Sequence, residues 1–284
     1  MIPAAFDYVA PASVADAVAA LGSDADEIKV LAGGQSLIPV LRLRLAAPTL
    51  LVDLGGIDDL RGVREDGGTL AIGAMTTHDE MTRDPLVAEH TPLLAQATRT
   101  VADPQVRHRG TLGGSLVHAD PAGDLPAAVL AMDAQMVITG PSGDRTVGAA
   151  DFFTDLFTTA VGEDELLTTI RVPKHTGWGS HYEKFNRVAQ QWSIVGVAAV
   201  VQTDGGAISA AKVALTNMGP TAWRASAVEQ ALVGQPATAE AVQAAAAHAP
   251  EGTSPPSDTN GDADYRRHLS TVLTRRSVLA AAGA

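Results

Sequence analysis

Two Gly-Gly motifs place the strongest constraint on what this chain can fold into and bind. The first is Ala32-Gly-Gly-Gln-Ser36 and the second is Thr111-Leu-Gly-Gly-Ser115. Paired glycines let a backbone approach a bulky ligand closely, and the N–H groups that they expose form concavities that bind phosphate. Two such motifs indicate a ligand with a diphosphate at its centre. We expect Asp124, nine residues beyond Ser115, to hold a sugar hydroxyl of that ligand.

Each motif alone is also typical of an ordinary tight turn. Neither matches the G-x-G-x-x-G dinucleotide fingerprint, and the chain has no P-loop pattern. The eight histidines show no metal-ligand pairing such as H-E-x-x-H, and there is no Gly-x-Ser-x-Gly elbow. The sequence therefore predicts neither a metal site nor a hydrolytic triad beside the glycine motifs.

Composition excludes several classes of protein. A net charge of −12 argues against nucleic acid as a partner, because its phosphates would repel the chain. The absence of cysteine excludes disulfides and thiolate-ligated iron–sulfur clusters in this chain. No run of 18 or more apolar residues occurs, which predicts no membrane span. We expect a soluble cytoplasmic protein.

Local patterns predict alternating strands and helices in the first part of the chain. Residues 1–56 suggest a small βαβ-like unit, with a capping pattern at Ser13 and strands at 28–32 and 50–54. In the following stretch, residues 86–102 show helical spacing. Short strands are expected around the turns at 66–68 and 141–144.

Beyond a plausible junction at residues 175–179, the pattern changes to alternating strands. Three of these are predicted, at 181–186, 193–202 and 207–216. Helices are then expected at 222–233, 239–247 and 265–282, with a Pro/Ser/Gly/Asp-rich loop before the last of them. Together these patterns predict an α+β fold.

Taken together, the motifs resemble those of the FAD-binding medium subunit of the molybdenum hydroxylases. This family includes carbon monoxide dehydrogenase, nicotine and quinoline dehydrogenases, and the flavin domain of xanthine dehydrogenase. The resemblance runs from about Phe6 to about Ala280. It is carried by Ala32-Gly-Gly-Gln-Ser36, Ile72-Gly-Ala74, Arg109-Gly-Thr-Leu-Gly-Gly-Ser115, His118-Ala-Asp-Pro121 and Tyr265-Arg-Arg267.

The resemblance implies a two-lobed FAD-binding domain of the PCMH type over residues 1–176, with subdomains 1–56 and 57–176. A small C-terminal domain over residues 177–284 would follow, with a three-stranded antiparallel sheet plus a helical bundle. Carried over position by position, the implied flavin contacts are Ala32, Gly33, Gly34, Gln35, Ser36, Thr111, Leu112, Gly113, Gly114, Ser115, Ala119, Asp120, Asp124, Leu166, Lys184 and Trp192.

The resemblance also implies roles for some of these residues. The two glycine motifs would bind the diphosphate through backbone N–H groups, and Asp124 would bind the ribose. Lys184 would lie near the isoalloxazine, where a lysine can stabilise the anionic reduced flavin. Trp192 departs from the family pattern, which usually has a tyrosine or other aromatic there; an indole can shield one face of a flavin by stacking.

Structural alternatives stay open for five of these residues. Asp120 could serve only in hydrogen bonding within its own turn. Asp124 could be a helix N-cap, and Leu166 could be a core strand residue. Lys184 could lie on a solvated strand face, and Trp192 could be a packed interface tryptophan.

The function implied is that of an oxidoreductase subunit with no catalytic residue of its own. This chain would carry FAD and pass electrons from a partner's [2Fe–2S] clusters to an external acceptor. A large subunit would hold the molybdopterin, a small subunit would hold two [2Fe–2S] clusters, and the complex would be a dimer of heterotrimers. Two alternatives remain: a free-standing FAD-dependent oxidoreductase, and an assembly factor without flavin.

Overall fold

A small parallel sheet organises the first part of the chain. The computed structural model describes residues 2–284. Strands β1 (Asp7–Val9), β2 (Ile28–Leu31) and β3 (Leu50–Asp53) pair in the order β1-β3-β2. Helices α1 (Val14–Leu21) and α2 (Leu37–Arg42) connect them. Ser13 caps α1 by accepting from the N–H of Asp16, as the capping pattern predicted.

An antiparallel sheet of five strands forms the next layer. It follows two short 3₁₀ turns, Leu54–Gly56 and Asp58–Leu60. In chain order, the strands of this part are β4 (Val63–Asp66), β5 (Thr69–Gly73), β6 (Gln135–Gly140), β7 (Gly143–Gly148), β8 (Phe153–Asp155), β9 (Thr158–Thr159) and β10 (Leu166–Pro173). The sheet order is β4-β5-β10-β6-β7, while β8 and β9 form a separate hairpin. β10 is therefore central, and it pairs with both the β4–β5 and the β6–β7 hairpins.

Seven helices accompany this sheet. They are α3 (His78–Arg83), α4 (Pro85–His90), α5 (Pro92–Arg99), α6 (Pro104–Arg109), α7 (Leu112–His118), α8 (Asp124–Ala131) and α9 (Ala149–Phe152). The prediction of a single helix over 86–102 is wrong, because the helical conformation is interrupted at Thr91. Pro92 disfavours helical backbone in the residue before it and begins a new helix instead.

The C-terminal part contains a third sheet and three helices. Its strands are β11 (Gly179–Phe185), β12 (Val195–Asp204), β13 (Ala207–Thr216) and β14 (Trp223–Arg224). The helices are α10 (Ser226–Leu232), α11 (Ala239–Ala246) and α12 (Ala263–Ala282). The three predicted strands are present and antiparallel. A two-residue fourth strand extends the sheet, because residues 223–224 pair with 214–215 before α10 begins.

The second and third parts share one hydrophobic core. Leu94 on α5 and Ala128 on α8 belong to the same buried cluster as Tyr182 on β11, Ala198 on β12 and Ala214 on β13. A separate cluster lies between the third sheet and α10, α11 and α12. The shared core fixes the third sheet against α8, and the predicted site residues 124, 184 and 192 all lie at this junction. Within residues 2–284, no helix has the length and hydropathy to cross a membrane.

Candidate functional site

The first glycine motif is the loop between β2 and α2, at the carboxyl edge of the parallel sheet. Gly34 has a φ of 74°, a left-handed conformation that glycine adopts readily. The side chain of Gln35 donates to the carbonyl of Gly33 at 3.1 Å. The backbone N–H groups of residues 33–36 have no hydrogen-bond acceptor within residues 2–284. This loop therefore offers consecutive free donors of the kind that bind an anion.

The second glycine motif is not a turn but the start of a helix. Thr111 is the N-cap of α7, and its Oγ1 accepts from the N–H of Gly114 at 3.1 Å. The N–H of Leu112 donates to Thr76 O at 3.0 Å, and that of Gly113 donates to Ala74 O at 2.8 Å. The backbone donors of residues 112–114 are thus already used. A ligand contact here would come from the N–H of Thr111, which has no acceptor within residues 2–284, from the Ser115 hydroxyl or from the bare glycine surface.

The glycines bring the two motifs into contact. A Cβ atom on Gly33 would lie 2.2 Å from the carbonyl oxygen of Arg109. A Cβ atom on Gly114 would lie 2.8 Å from Thr111 Oγ1 and 3.3 Å from the Cβ of Ala32. Missing side chains are therefore required for the backbones to approach each other, and the motifs form one site although they are far apart in sequence.

A cleft of about 500 Å³ lies beside this contact. It is lined by Ala32 and Gly33 from the first motif and by Thr111 from the second. Charged side chains of both signs also line it: Arg61, Arg83, Arg109, Asp53, Asp79 and Glu80. Ligands of parallel α/β sheets bind outside the carboxyl ends of the strands. The position of the cleft and the free N–H groups of the first motif both suit a ligand that carries phosphate.

Asp124 lies at the centre of a buried polar cluster. Its Oδ1 accepts from Tyr182 Oη and from Ser193 Oγ, both at 2.7 Å. Its Oδ2 accepts from Lys184 Nζ at 2.7 Å, and Lys184 also donates to the carbonyl of Thr100 at 3.0 Å. The cluster joins the first residue of α8 to strand β11 and to the segment before β12.

Two of the structural alternatives are excluded by this cluster. The N-cap of α8 is Gly123, and Asp124 makes no capping bond. Lys184 is buried, with only 6% of its side chain exposed, so it does not lie on a solvated strand face. The structure thus brings the two predicted residues together as a buried ion pair.

Burial shifts the pKa values of this cluster. Burial raises the pKa of Asp124, and the neighbouring Lys184 charge opposes that shift. Burial also raises the pKa of Tyr182 well above its ordinary value, and the charge of Asp124 adds to the effect. Tyr182 therefore stays protonated and donates. Three of the roughly four acceptor positions of the carboxylate are occupied, so one is not used within the cluster.

Ala119, Asp120 and Trp192 lie around a second cleft or beside it. Ala119 ends α7 with a φ of 51°, and Asp120 Oδ1 accepts from the N–H of Ala122 at 2.8 Å. The cleft has a volume of about 280 Å³ and is lined by Asp120, Trp192 and Ser193. Trp192 is 55% exposed, so it does not pack within this chain. Because Ser193 contacts Asp124, this cleft adjoins the buried cluster.

Leu166 differs from the other predicted residues. It begins β10, is almost fully buried, and belongs to the core cluster that contains Leu50 and Met75. This placement agrees with the core-strand alternative. Sequence reasoning also missed two residues of the site, Tyr182 and Ser193. Tyr182 lies two positions before Lys184 on β11, so strand periodicity would have placed both on one face.

Comparisons with known proteins agree with this architecture. A family model described as the FAD binding domain in molybdopterin dehydrogenase matches residues 4–175, and one described as the CO dehydrogenase flavoprotein C-terminal domain matches residues 180–281. The carbon monoxide dehydrogenase medium chain of Hydrogenophaga pseudoflava is 44% identical over 99% of this chain and 98% of its own length.

Two further relatives cover almost the whole chain. The nicotine 6-hydroxylase medium subunit of Paenarthrobacter nicotinovorans is 37% identical over 98% of this chain and 97% of its own length. A solved structure of CO dehydrogenase from Oligotropha carboxidovorans has a TM-score of 0.97 at 40% identity, covering 100% of this chain and 99% of the other. The chain therefore belongs to the family of FAD-binding medium subunits of the molybdenum hydroxylases, which are oxidoreductase subunits.

Proposed function

We propose that this chain is the FAD-carrying electron-transfer subunit of a heterotrimeric molybdenum hydroxylase. It would receive electrons from the [2Fe–2S] clusters of a small partner and pass them to an external acceptor. The main observation in support is the row of free N–H groups at residues 33–36, held against the second glycine motif by the close approach of Gly33 to Arg109. An assembly factor that binds no flavin would have no use for this row of donors.

The residues present fit FAD. The N–H groups of residues 33–36 would bind the diphosphate, because hydrogen bonds from N–H groups to a charged acceptor are the strong kind. The hydroxyls of Ser36 and Ser115 make no hydrogen bond within residues 2–284, and both side chains are partly exposed, so they can add to that binding. When bound, FAD supplies a carrier for one-electron and two-electron chemistry.

The chain's other side chains would orient the cofactor. Asp124 would accept a ribose hydroxyl at its one open position, while Lys184 would place a positive charge near the isoalloxazine. Trp192, exposed beside the second cleft, would cover one face of the ring. The remaining members of the proposed contact set are Ala32, Thr111, Leu112, Gly113, Gly114, Ala119, Asp120 and Leu166. We propose the same division as in the family, 1–176 for FAD and 177–284 for the C-terminal domain.

Partners are part of this proposal. Several relatives are named as medium chains or medium subunits, names that imply larger and smaller companions. This chain has no cysteine with which to ligate a cluster. We therefore assign molybdopterin to a large subunit and two [2Fe–2S] clusters to a small one, in a cytoplasmic dimer of heterotrimers. The substrate would then be chosen by the large subunit.

Affinity purification from the native host tests the proposal. A tagged chain should co-purify with a cysteine-rich chain that shows iron–sulfur absorption, and substrate of the complex should bleach its flavin bands. An isolated chain whose FAD is reduced directly by a small substrate would contradict the proposal and favour a free-standing oxidoreductase. A colourless chain that takes up no FAD, alone or with partners, would favour the assembly factor.

A further inference from the structure

Arg266 is a fully buried guanidinium close to the proposed flavin site. It lies on α12, and its relative exposure is 0%. Its Nη1 donates to the carbonyl of Ile194, and its Nη2 donates to Asp258 Oδ1 at 2.8 Å. Asp258 is itself 44% exposed, so the counter-ion faces solvent while the guanidinium points inward. Burying a charged group costs several kcal/mol unless its hydrogen bonds compensate. The role of the backbone segment that this guanidinium binds therefore needs an explanation.

The guanidinium binds the segment of residues 192–194, which leads into β12. Asn217 holds the same segment, because its Nδ2 donates to Ser193 O at 2.8 Å and lies 3.4 Å from Ile194 O. The backbone N–H of Asn217 donates to Pro121 O at 2.8 Å, which connects it to the turn after α7. Side chains from α12 and from the end of β13 therefore fix the carbonyls of residues 193 and 194. Trp192 immediately precedes these two residues in the chain, and the Ser193 hydroxyl that bonds to Asp124 belongs to one of them.

We propose that Arg266 is a positioning residue for the flavin site. By holding the Ile194 carbonyl, it sets the segment so that Trp192 faces the second cleft and Ser193 reaches Asp124. The identity of the ligand in this inference, FAD, rests on the proposed function. The contacts from which the role of Arg266 is argued all lie within this chain. Arg266 itself lines the same cleft as Trp192 and Asp120.

The first test needs no flavin. The chain has three tryptophans, so protein labelled with 5-fluorotryptophan gives three fluorine resonances, and Trp192→Phe identifies that of Trp192. In the flavin-free protein, Arg266→Met should shift or broaden the Trp192 resonance and leave those of Trp178 and Trp223 in place. The matched control is Arg267→Met, the neighbouring arginine, which is 41% exposed and pairs with Asp264 at the surface. This control should leave all three resonances unchanged.

The second readout is the dissociation constant of FAD. We expect Arg266→Met to raise it about tenfold, which corresponds to the loss of one charge-assisted hydrogen bond, and Arg267→Met to leave it as in wild type. Arg266→Lys keeps the charge and can donate to one of the two acceptors, so it should recover part of the affinity. A Trp192 resonance and an FAD affinity that both stay as in wild type in Arg266→Met would overturn the inference.

Asp258→Ala decides the matter if Arg266→Met does not fold. This variant changes an exposed loop and removes the carboxylate that orients the guanidinium, so the Trp192 resonance should shift or broaden relative to wild type while those of Trp178 and Trp223 stay in place. An unmoved resonance would overturn the inference. Failure of the wild-type chain to bind FAD would contradict the proposed function alone, because the fluorine measurement on flavin-free protein would still report on Arg266.

Discussion

At Gly33 the absence of a side chain allows two distant stretches of backbone to touch. Gly33→Ala places a methyl group 2.2 Å from the carbonyl oxygen of Arg109, so the first glycine loop must move away from the second motif. Because that loop carries the free N–H groups, we expect FAD affinity to fall by at least about tenfold, the loss of one or more good hydrogen bonds. Fluorescence titration of flavin-free protein with FAD measures this.

Gly68→Ala is the matched control for this substitution. Gly68 lies in the turn between β4 and β5, and a Cβ atom there would meet nothing within 4 Å. This variant should bind FAD as wild type does. Equal affinity in Gly33→Ala and wild type would show that the contact between the motifs is not needed for the ligand.

His78 predicts a pH dependence of stability. It is buried, its Nδ1 has no hydrogen-bond partner within residues 2–284, and burial lowers its pKa to about 4, with the charge of Arg107 adding to the effect. Between this value and the ordinary 6.5, the unfolded chain binds more protons than the folded one. The contribution of uncharged His78 to the free energy of unfolding is fully present above pH 6.5 and is lost as the pH falls towards 4.

His78→Leu removes this titration and keeps a similar volume. A pKa of about 4 in place of 6.5 corresponds to about 3 kcal/mol of folding free energy lost by wild type across this pH window. Urea unfolding at about pH 7.5 and about pH 4.5 should therefore show a smaller loss for His78→Leu than for wild type. Equal losses in the two proteins would mean that His78 is charged in the folded state.

At the scale of elements, the ion pair of Asp124 and Lys184 joins α8 to β11. Breaking a buried pair by removing one partner typically costs about 3–5 kcal/mol, because the other charge is left unpaired. We expect Asp124→Asn and Lys184→Met each to lower the free energy of unfolding by an amount in this range. The double variant should lose less than the sum of the two, as urea unfolding in a double-mutant cycle would show. Strict additivity would mean that the pair makes no direct contribution.

Elements with strong local patterns were predicted well. β12 and β13 were found from apolar strands on either side of Asp204-Gly-Gly206, and α12 from its long helical run. α6 was missed because none of its six residues is buried and its basic side chains lack an apolar stripe. The second glycine motif was predicted as a turn because glycine disfavours helix interiors; packing on Ala74 decides its conformation instead.

The site was predictable only in part. Lys184 and Asp124 were both identified, but their direct contact depends on how β11 packs against α8, which no local pattern encodes. The same holds for Ser193, which reaches Asp124 from the segment before β12. The sequence also did not predict that the N–H groups of Leu112 and Gly113 donate within the protein, since their acceptors are the distant carbonyls of Thr76 and Ala74.

At the scale of the whole molecule, the shared core makes a prediction about cooperativity. Tyr182, Ala198 and Ala214 complete a core that α5 and α8 begin, and separation of the parts would expose all three. We expect the flavin-free chain to show one cooperative unfolding transition that involves the second and third parts together. Differential scanning calorimetry measures this, and two well-separated transitions assignable to residues before and after 177 would contradict it.

The central claim, that this chain holds FAD between its glycine motifs and the third sheet, has a direct test. An absorption spectrum of the purified chain is recorded before and after acid precipitation, and the released compound is identified. The account predicts flavin bands that move into the supernatant as FAD, because no covalent link is expected from the motifs. A colourless chain that fails to take up added FAD, alone or with partner subunits, would contradict it.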